Sequence, residues 1–363
     1  MIDRRLLENI DWFLVGLLLL NSLFGALIIY SSSHYLPGNY ALRQLIWIAA
    51  SLIALFLFLV VDYKVLLTYS TYFYGALMLV LVLMLFTGTS IAGAKSWIRI
   101  SSFQVQPSEL AKIALILVLA HFFSERKTSY ISSGTAVLGF GLTAVPFILV
   151  ACQPDLGTAM CFLPLLLGAL IMAGLRRKAV VVMAIVCLLA GIAGWNLALK
   201  DYQKKRLTTV VFPGKDPQGA GYHILQSKIA IGSGGLFGKG FKKGTQSQLR
   251  FLPARHTDFV FSVVGEELGF IGVVAALLLC YLFVSRIFRS AGKSRDRAGV
   301  YLVYLVGTIV TFQILVNVSM VIGLFPIVGI PLPLFSYGGS SLLANYLGVS
   351  LVLNVKMRRF VNI

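Results

Sequence analysis

Runs of about twenty apolar residues recur from one end of the chain to the other, from FLVGLLLLNSLFGALIIY at 13–30 to LGVSLVLNV at 347–355. A bilayer core about 30 Å thick demands helices of about that length, because backbone polar groups crossing lipid must be paired within their own segment. Ten runs are legible, at 12–30, 41–61, 67–87, 108–123, 135–152, 156–174, 179–199, 262–287, 299–322 and 340–356. They absorb nearly all of the 58% apolar content and account for a mean hydropathy of +0.88. The expected fold is an all-α polytopic membrane protein, a single integral membrane domain over 1–363, with one long extracytoplasmic loop at 200–261 between spans seven and eight. Arg4 and Arg5 precede the first run as in a signal peptide, but its length and the spans that follow read as an uncleaved helix.

The 31 Lys and Arg outnumber the 13 Asp and Glu and are unevenly placed. With the amino terminus inside, 16 of the 31 fall in inner segments, whereas the short outer loops hold only Lys95 and Arg99, with Arg43 at an outer helix start. Basic residues stay on the cytoplasmic side, so both termini are expected there. Loop 200–261 breaks the pattern with eleven Lys and Arg against Asp201, Asp216 and Asp258. Long loops escape the charge rule, so this excess serves an anionic lipid surface or an anionic substrate. Cys152, Cys161, Cys187 and Cys280 lie in or beside apolar runs without CxxC spacing, which indicates neither a disulfide framework nor a zinc site.

Ionisable residues at membrane depth are costly and mark candidate sites. In QPSELAK, Glu109 and Lys112 are three apart and share a helical face, as an ion pair that is either structural or ligand-binding, with Pro107 in the first turn. In QPDLGT, residues 153–158, Asp155 occupies a tight outer turn, either facing the interior or capping the next helix. In ARHTDFVF, Asp258 stands where a basic loop meets apolar surface, a setting that suits a general base, although neutralising Arg255 on a wet surface is the plainer role. Glu266 and Glu267 are expected to open the eighth helix, where the dipole favours carboxylates.

Within the long loop, GYHILQSKIAI at 221–231 reads as a short interfacial helix with Ile224, Leu225 and Ile229 on one face. The glycine-rich GSGGLFGKGFKKG that follows fits a flexible turn or a phosphate cradle, but not a P-loop. PLPLFSYGGSS at 331–341 is irregular backbone at the outer face, tolerated only where it is buried or lines a cavity. No nucleophilic triad or metalloprotease spacing is present.

GAKSWI, QPSELAK, QPDLGT, GTQSQLRFLPARHTDFVFSVVGEELGFIG and PLPLFSYGGSS, in that order, closely resemble the SEDS family of bacterial cell-wall proteins (shape, elongation, division and sporulation). Within it, GTQSQLRFLP and QPDLGT resemble the elongation branch more than the division branch. The resemblance runs essentially end to end and implies a peptidoglycan glycosyltransferase of the bacterial cytoplasmic membrane that polymerises lipid II at the outer leaflet. It places the catalytic base on Asp258, the family's ion pair on Glu109 and Lys112, and its acidic turn on Asp155. Arg250, Arg255, His256, Thr257, Lys95, Arg99 and Ser336 are the further expected substrate contacts. Ala254 departs from the pattern, since many relatives carry an acid there. The resemblance also implies a class B penicillin-binding protein and elongation-complex membrane proteins as partners. A divalent cation, Mg or Mn, is considered; no organic cofactor and no nucleic acid are expected. The competing readings are a lipid II flippase and a non-catalytic scaffold.

Overall fold

The computed structural model describes residues 8–34, 38–91, 94–100, 103–126, 131–174, 208–209, 219–249, 251–252, 254–292 and 294–360. Helix α1 (Trp12–Ser33) is capped by Asp11, which accepts from the Leu14 N–H at 3.3 Å. Helices α2 (Tyr40–Val60), α3 (Tyr63–Thr68) and α4 (Ser70–Thr87) follow. Pro107 opens α5 (Pro107–Ser124), where its missing N–H costs no helical bond. Then come α6 (Ser133–Cys152) and the sixth run, divided into α7 (Leu156–Met160) and α8 (Phe162–Met172). The long loop contains α9 (Ala220–Ser233) and α10 (Thr245–Gln248), and α11 (Val260–Ala291), α12 (Arg297–Val321) and α13 (Gly339–Met357) complete the bundle.

Among the described residues, seven helices (α1, α2, α4, α5, α6, α11 and α12) are long and apolar enough to cross a membrane, and Leu156–Met172 forms a shorter apolar segment. The expected run 179–199 lies outside the described residues. Helix α13 carries Asn345, Ser350 and Asn354, yet it is buried along almost its whole length and packs most extensively on α2. Its polar groups therefore meet protein instead of lipid: Asn354 accepts from the Tyr63 N–H at 3.1 Å and donates to the Val61 carbonyl at 2.6 Å. Helix α5 is the most enclosed, with 78% of its apolar window buried against 22% for α6, which places Glu109 and Lys112 in the protein interior.

One end of the bundle is held by charge. Asp11 accepts both Nε and Nη2 of Arg286 at 2.8 Å and also Lys356 Nζ, joining the start of α1 to the ends of α11 and α13. Burial alone would raise this carboxyl, but the two cations outweigh it and hold it below the usual carboxylate range. At the same end, Tyr63 donates to Asp296 at 2.9 Å and Arg297 donates to the Arg126 carbonyl at 3.3 Å. These contacts gather the helix ends that the charge rule assigns to one side.

The opposite end differs from the sequence expectation in four places. The fold is not purely helical: β1 (Thr89–Ile91), β2 (Ala94–Ile100) and β3 (Phe103–Val105) form an antiparallel sheet, with Thr89 opposite Trp97 and Ile98 opposite Val105. Within KSWIRI, Arg99 alternates with Ile98 and Ile100 as a strand allows, whereas charge counting alone reads a loop. Second, α9 does not bury Ile224, Leu225 and Ile229 together: Ile224, Ser227 and Ala230 are buried, while Leu225 and Ile229 lie more than 40% exposed. Small residues every third position let α9 seat on α11, and the leftover apolar row faces outward. Third, α11 begins at Val260, so Glu266 and Glu267 lie nearly two turns inside it, both fully buried, and are not helix-start carboxylates.

Fourth, the glycine-rich segment is a structural stitch and not a phosphate cradle, because its backbone groups are engaged with α11 and within its own turns. Gly269 breaks that helix at φ 67°, ψ −160°, a region open essentially to glycine alone. The segment 234–240 fills the break: Phe270 and Ile271 N–H groups donate to the Gly235 and Leu236 carbonyls at 2.9 and 3.2 Å, and Lys239 and Gly240 N–H groups donate to the Glu266 and Glu267 carbonyls at 3.0 Å. A Cβ on Gly269 would sit 2.3 Å from the Gly238 nitrogen. Gly269→Ala is therefore expected to cost at least about 2 kcal/mol and to lower the melting temperature in detergent. Gly232→Ala, which meets nothing within 4 Å, should be neutral or stabilising by up to about 1 kcal/mol. Equal melting temperatures for the two variants would contradict this account.

Candidate functional site

Asp258 sits in the turn that leads into α11. The N–H groups of Thr257, Asp258 and Phe259 all donate to the Ala254 carbonyl, at 3.0, 3.1 and 3.3 Å, and Ala254 itself has a left-handed φ of 46°. The turn is clamped from two sides. Fully buried Asn317 of α12 donates to the carbonyls of Asp258 and Ile330, at 3.1 and 2.8 Å. Ser336 donates to the Thr257 carbonyl at 2.6 Å and accepts from the Leu332 N–H at 2.8 Å, while Tyr337 N–H donates to the His256 carbonyl at 2.8 Å. The irregular PLPLFSYGGSS backbone thus serves to hold the Asp258 turn, and the Asp258 side chain is left half-buried. A Cβ built on Gly329 would lie 3.8 Å from Asp258 Oδ2, so the carboxylate borders the 322–338 loop.

The same loop also packs against α7, the helix that Asp155 caps, since a Cβ on Gly157 would fall 2.0 Å from the Val328 carbonyl oxygen. Asp155 caps α7 by accepting from the Thr158 N–H at 3.1 Å, in agreement with the capping reading. It does more than cap: Gln106 Nε2 donates to it at 2.6 Å, the Thr158 hydroxyl at 3.0 Å and the Ser96 hydroxyl at 3.4 Å. Burial raises its carboxyl above the usual range in spite of the Thr158 bonds. Glu109 and Lys112 pair at 2.8 Å, each side chain only 4% exposed. With Gln313 and Asn345 they line a cavity of about 20 Å³ of water-accessible space, room for about one water molecule.

The remaining expected site residues separate. His256 packs its ring against both Tyr40 and Tyr337, with centroids 4.8 and 5.8 Å away, in a three-ring cluster. Burial, then the Arg255 charge, lowers its pKa, which leaves a neutral imidazole at pH 7. Thr257 closes its own turn on the Ala254 carbonyl at 3.2 Å. Arg255, expected as an open cation, is buried, and its guanidinium donates to the Ser247 carbonyl. Arg99 is exposed on β2, Lys95 lies on the same strand, and Arg250 lies outside the described residues. Residue-type reasoning missed Asn317, Gln106 and Ser340, which accepts the Gln106 N–H at 2.9 Å. Their only sequence signal is a polar side chain at the edge of, or inside, an apolar run.

Among the described residues no group of three or more His, Cys, Asp or Glu is placed to hold a metal. The carboxylates nearest Asp258 at this end already carry protein donors: Glu266 and Glu267 accept from the 239–248 stretch, and Asp155 from Gln106, Thr158 and Ser96. Mg²⁺ usually arrives with substrate phosphates and needs only one or two protein carboxylates.

The fold and its buried polar interior define the class: a polytopic integral membrane protein with a polar site at one end of the bundle. The family model for cell cycle proteins of the FtsW, RodA and SpoVE type matches residues 11–360. The chain is 38% identical to the peptidoglycan glycosyltransferase MrdB of Escherichia coli K12, covering 97% of this chain and 94% of that one. It is 36% identical to the stage V sporulation protein E of Bacillus subtilis, covering 95% and 96%. Among solved structures, a chain of a peptidoglycan synthase complex superposes with a TM-score of 0.84 at 34% identity, covering 97% of this chain and 99% of that chain. The rod shape determining protein RodA of Thermus thermophilus gives 0.73 at 31% identity, covering 97% and 98%. The chain belongs to the FtsW/RodA/SpoVE family, the SEDS proteins.

Proposed function

We propose that this protein polymerises lipid II at the outer face of the bacterial cytoplasmic membrane, with Asp258 as the general base. That it is a peptidoglycan glycosyltransferase follows from its family and from relatives so named over nearly its full length. The observation that carries the assignment of the base is the Asp258 turn itself: its backbone is fixed by Asn317, Ser336 and Tyr337 while its carboxylate stays half-buried at the polar end.

In a single displacement the acceptor 4-hydroxyl oxygen bonds to the donor anomeric carbon from the face opposite the leaving group. The anomeric C–O bond to the diphosphate breaks, its electron pair leaves with undecaprenyl diphosphate, and the hydroxyl proton passes to Asp258. The anomeric centre inverts. Cations stabilise the departing charge; Arg99 and Arg250 are the outer candidates and Lys112 the inner one. Arg255 does not serve that role, because its guanidinium is buried on the Ser247 carbonyl. A divalent cation, in this reading, comes with the diphosphate and is not resident.

The basic helix ends gathered around Asp11 and Asp296 support a cytoplasmic location for both termini. Likeness to a chain of a peptidoglycan synthase complex that coordinates polymerization and crosslinking supports a class B penicillin-binding protein as partner, within an assembly of elongation-complex membrane proteins.

The test is purified protein with labelled lipid II in detergent, where no second compartment exists. Long glycan strands are expected; lipid II recovered unchanged, with and without the partner, would sink the reading in favour of transport or scaffolding. Chelation is expected to slow polymerisation reversibly without lowering the melting temperature.

A further inference from the structure

Glu266 and Glu267 are fully buried side by side in α11, and the reaction proposed above does not use them. Two adjacent buried carboxylates are tolerated only if each is well supplied with donors. Glu267 accepts the Ser31 hydroxyl, the Lys242 N–H at 3.2 Å and Gln248 Nε2 at 3.1 Å, which ties α11 to the end of α1. Glu266 takes all its donors from one short stretch of the outer loop: Lys239 Nζ at 3.0 Å, the Thr245 hydroxyl at 3.2 Å, the Gln246 N–H at 2.7 Å and the Ser247 N–H at 3.0 Å.

The Ser247 residue is the link. Its N–H is held by Glu266, and its carbonyl accepts the guanidinium of Arg255, three residues before Asp258. Arg255 is itself buried and lies inside the turn whose N–H groups converge on Ala254. Leu252 N–H donates to the Gln246 carbonyl at 3.2 Å, a second tie between the same two stretches. A path of charge-assisted and backbone bonds therefore runs from Glu266 through Ser247 to Arg255 and the base-bearing turn. Such bonds are short, directional and poorly replaced by water in a buried setting.

We propose that Glu266 is a positioning residue for the transferase reaction, acting through Ser247 and Arg255 to set the Asp258 carboxylate. This rests on the reading of Asp258 as the base. Glu266→Gln retains the size but turns one acceptor oxygen into a donor that confronts either the Ser247 N–H or the Gln246 N–H, which the two oxygens accept separately. Arg255→Lys keeps the charge but loses the guanidinium fork. Misplacement of a catalytic group by about 1 Å can cost about 100-fold, so each variant is expected to lower kcat by about 10- to 100-fold with KM for lipid II changed less than about twofold.

The test is steady-state polymerisation by the purified full-length protein for both single variants, the double variant and Asp258→Asn. Because both changes cut one path, the double variant should be no slower than about twofold below the slower single variant. A kcat within twofold of wild type for a folded Glu266→Gln, or losses that multiply in the double variant, would overturn the inference while leaving Asp258 in place. Activity retained by Asp258→Asn would instead remove the reading on which the inference rests. Should Glu266→Gln fail to fold, Arg255→Lys decides alone: a drop in kcat at constant KM supports the path, and wild-type kcat overturns it.

Discussion

Asp258→Asn is expected to lose polymerisation by a factor of about 10² to 10⁴, the range that general-base catalysis supplies, with a melting temperature close to wild type. The amide keeps the volume of the carboxylate but cannot take the proton of the acceptor hydroxyl. The fold around it should persist, because the bonds that shape the turn are made by its backbone: the Asp258 carbonyl to Asn317, its N–H to Ala254, and the neighbouring Thr257 carbonyl to Ser336. The measurement is the initial rate of glycan formation from labelled lipid II, resolved by gel, beside a thermal melt of the same preparation. Wild-type rates from a folded Asp258→Asn protein would contradict the assignment of the base.

The second large effect concerns the ion pair in α5. Lys112→Met strands the Glu109 carboxylate in the bundle interior, where breaking one partner of a buried pair costs about 3–5 kcal/mol. The joint change Glu109→Leu with Lys112→Met replaces both charges by apolar groups of similar size and should recover most of that stability. Activity then separates the two roles the sequence left open. If the pair serves the diphosphate, the doubly substituted protein melts like wild type and still fails to polymerise. Full activity in that protein would make the pair purely structural, and an unchanged melting temperature for Lys112→Met alone would contradict its burial.

Much of the architecture was legible because membrane spans obey a simple one-dimensional rule. The predicted starts and ends of α1, α4, α5, α6, α12 and α13 fall within a few residues of those observed. Pro107 at the start of α5 and Asp155 as a cap were readable for the same reason, since both act within one helical turn. The three-stranded sheet was missed because its strands are short and its register depends on pairing across turns. The burial of Arg255 and the depth of Glu266 were missed because a charge beside a polar loop looks exposed until its partner is placed. That partner, Ser247, is eight residues from Arg255 and 19 from Glu266.

By itself the sequence determined the membrane class and the family and singled out the candidate carboxylates, since length, hydropathy and motif order are properties of residues taken in line. Only the tertiary structure decided which side chains share the Asp258 neighbourhood. Asn317, Ser336, Gly329 and Tyr337 reach it from segments 59 or more residues further along the chain, and such contacts arise from helix packing and loop closure, which local pattern does not encode.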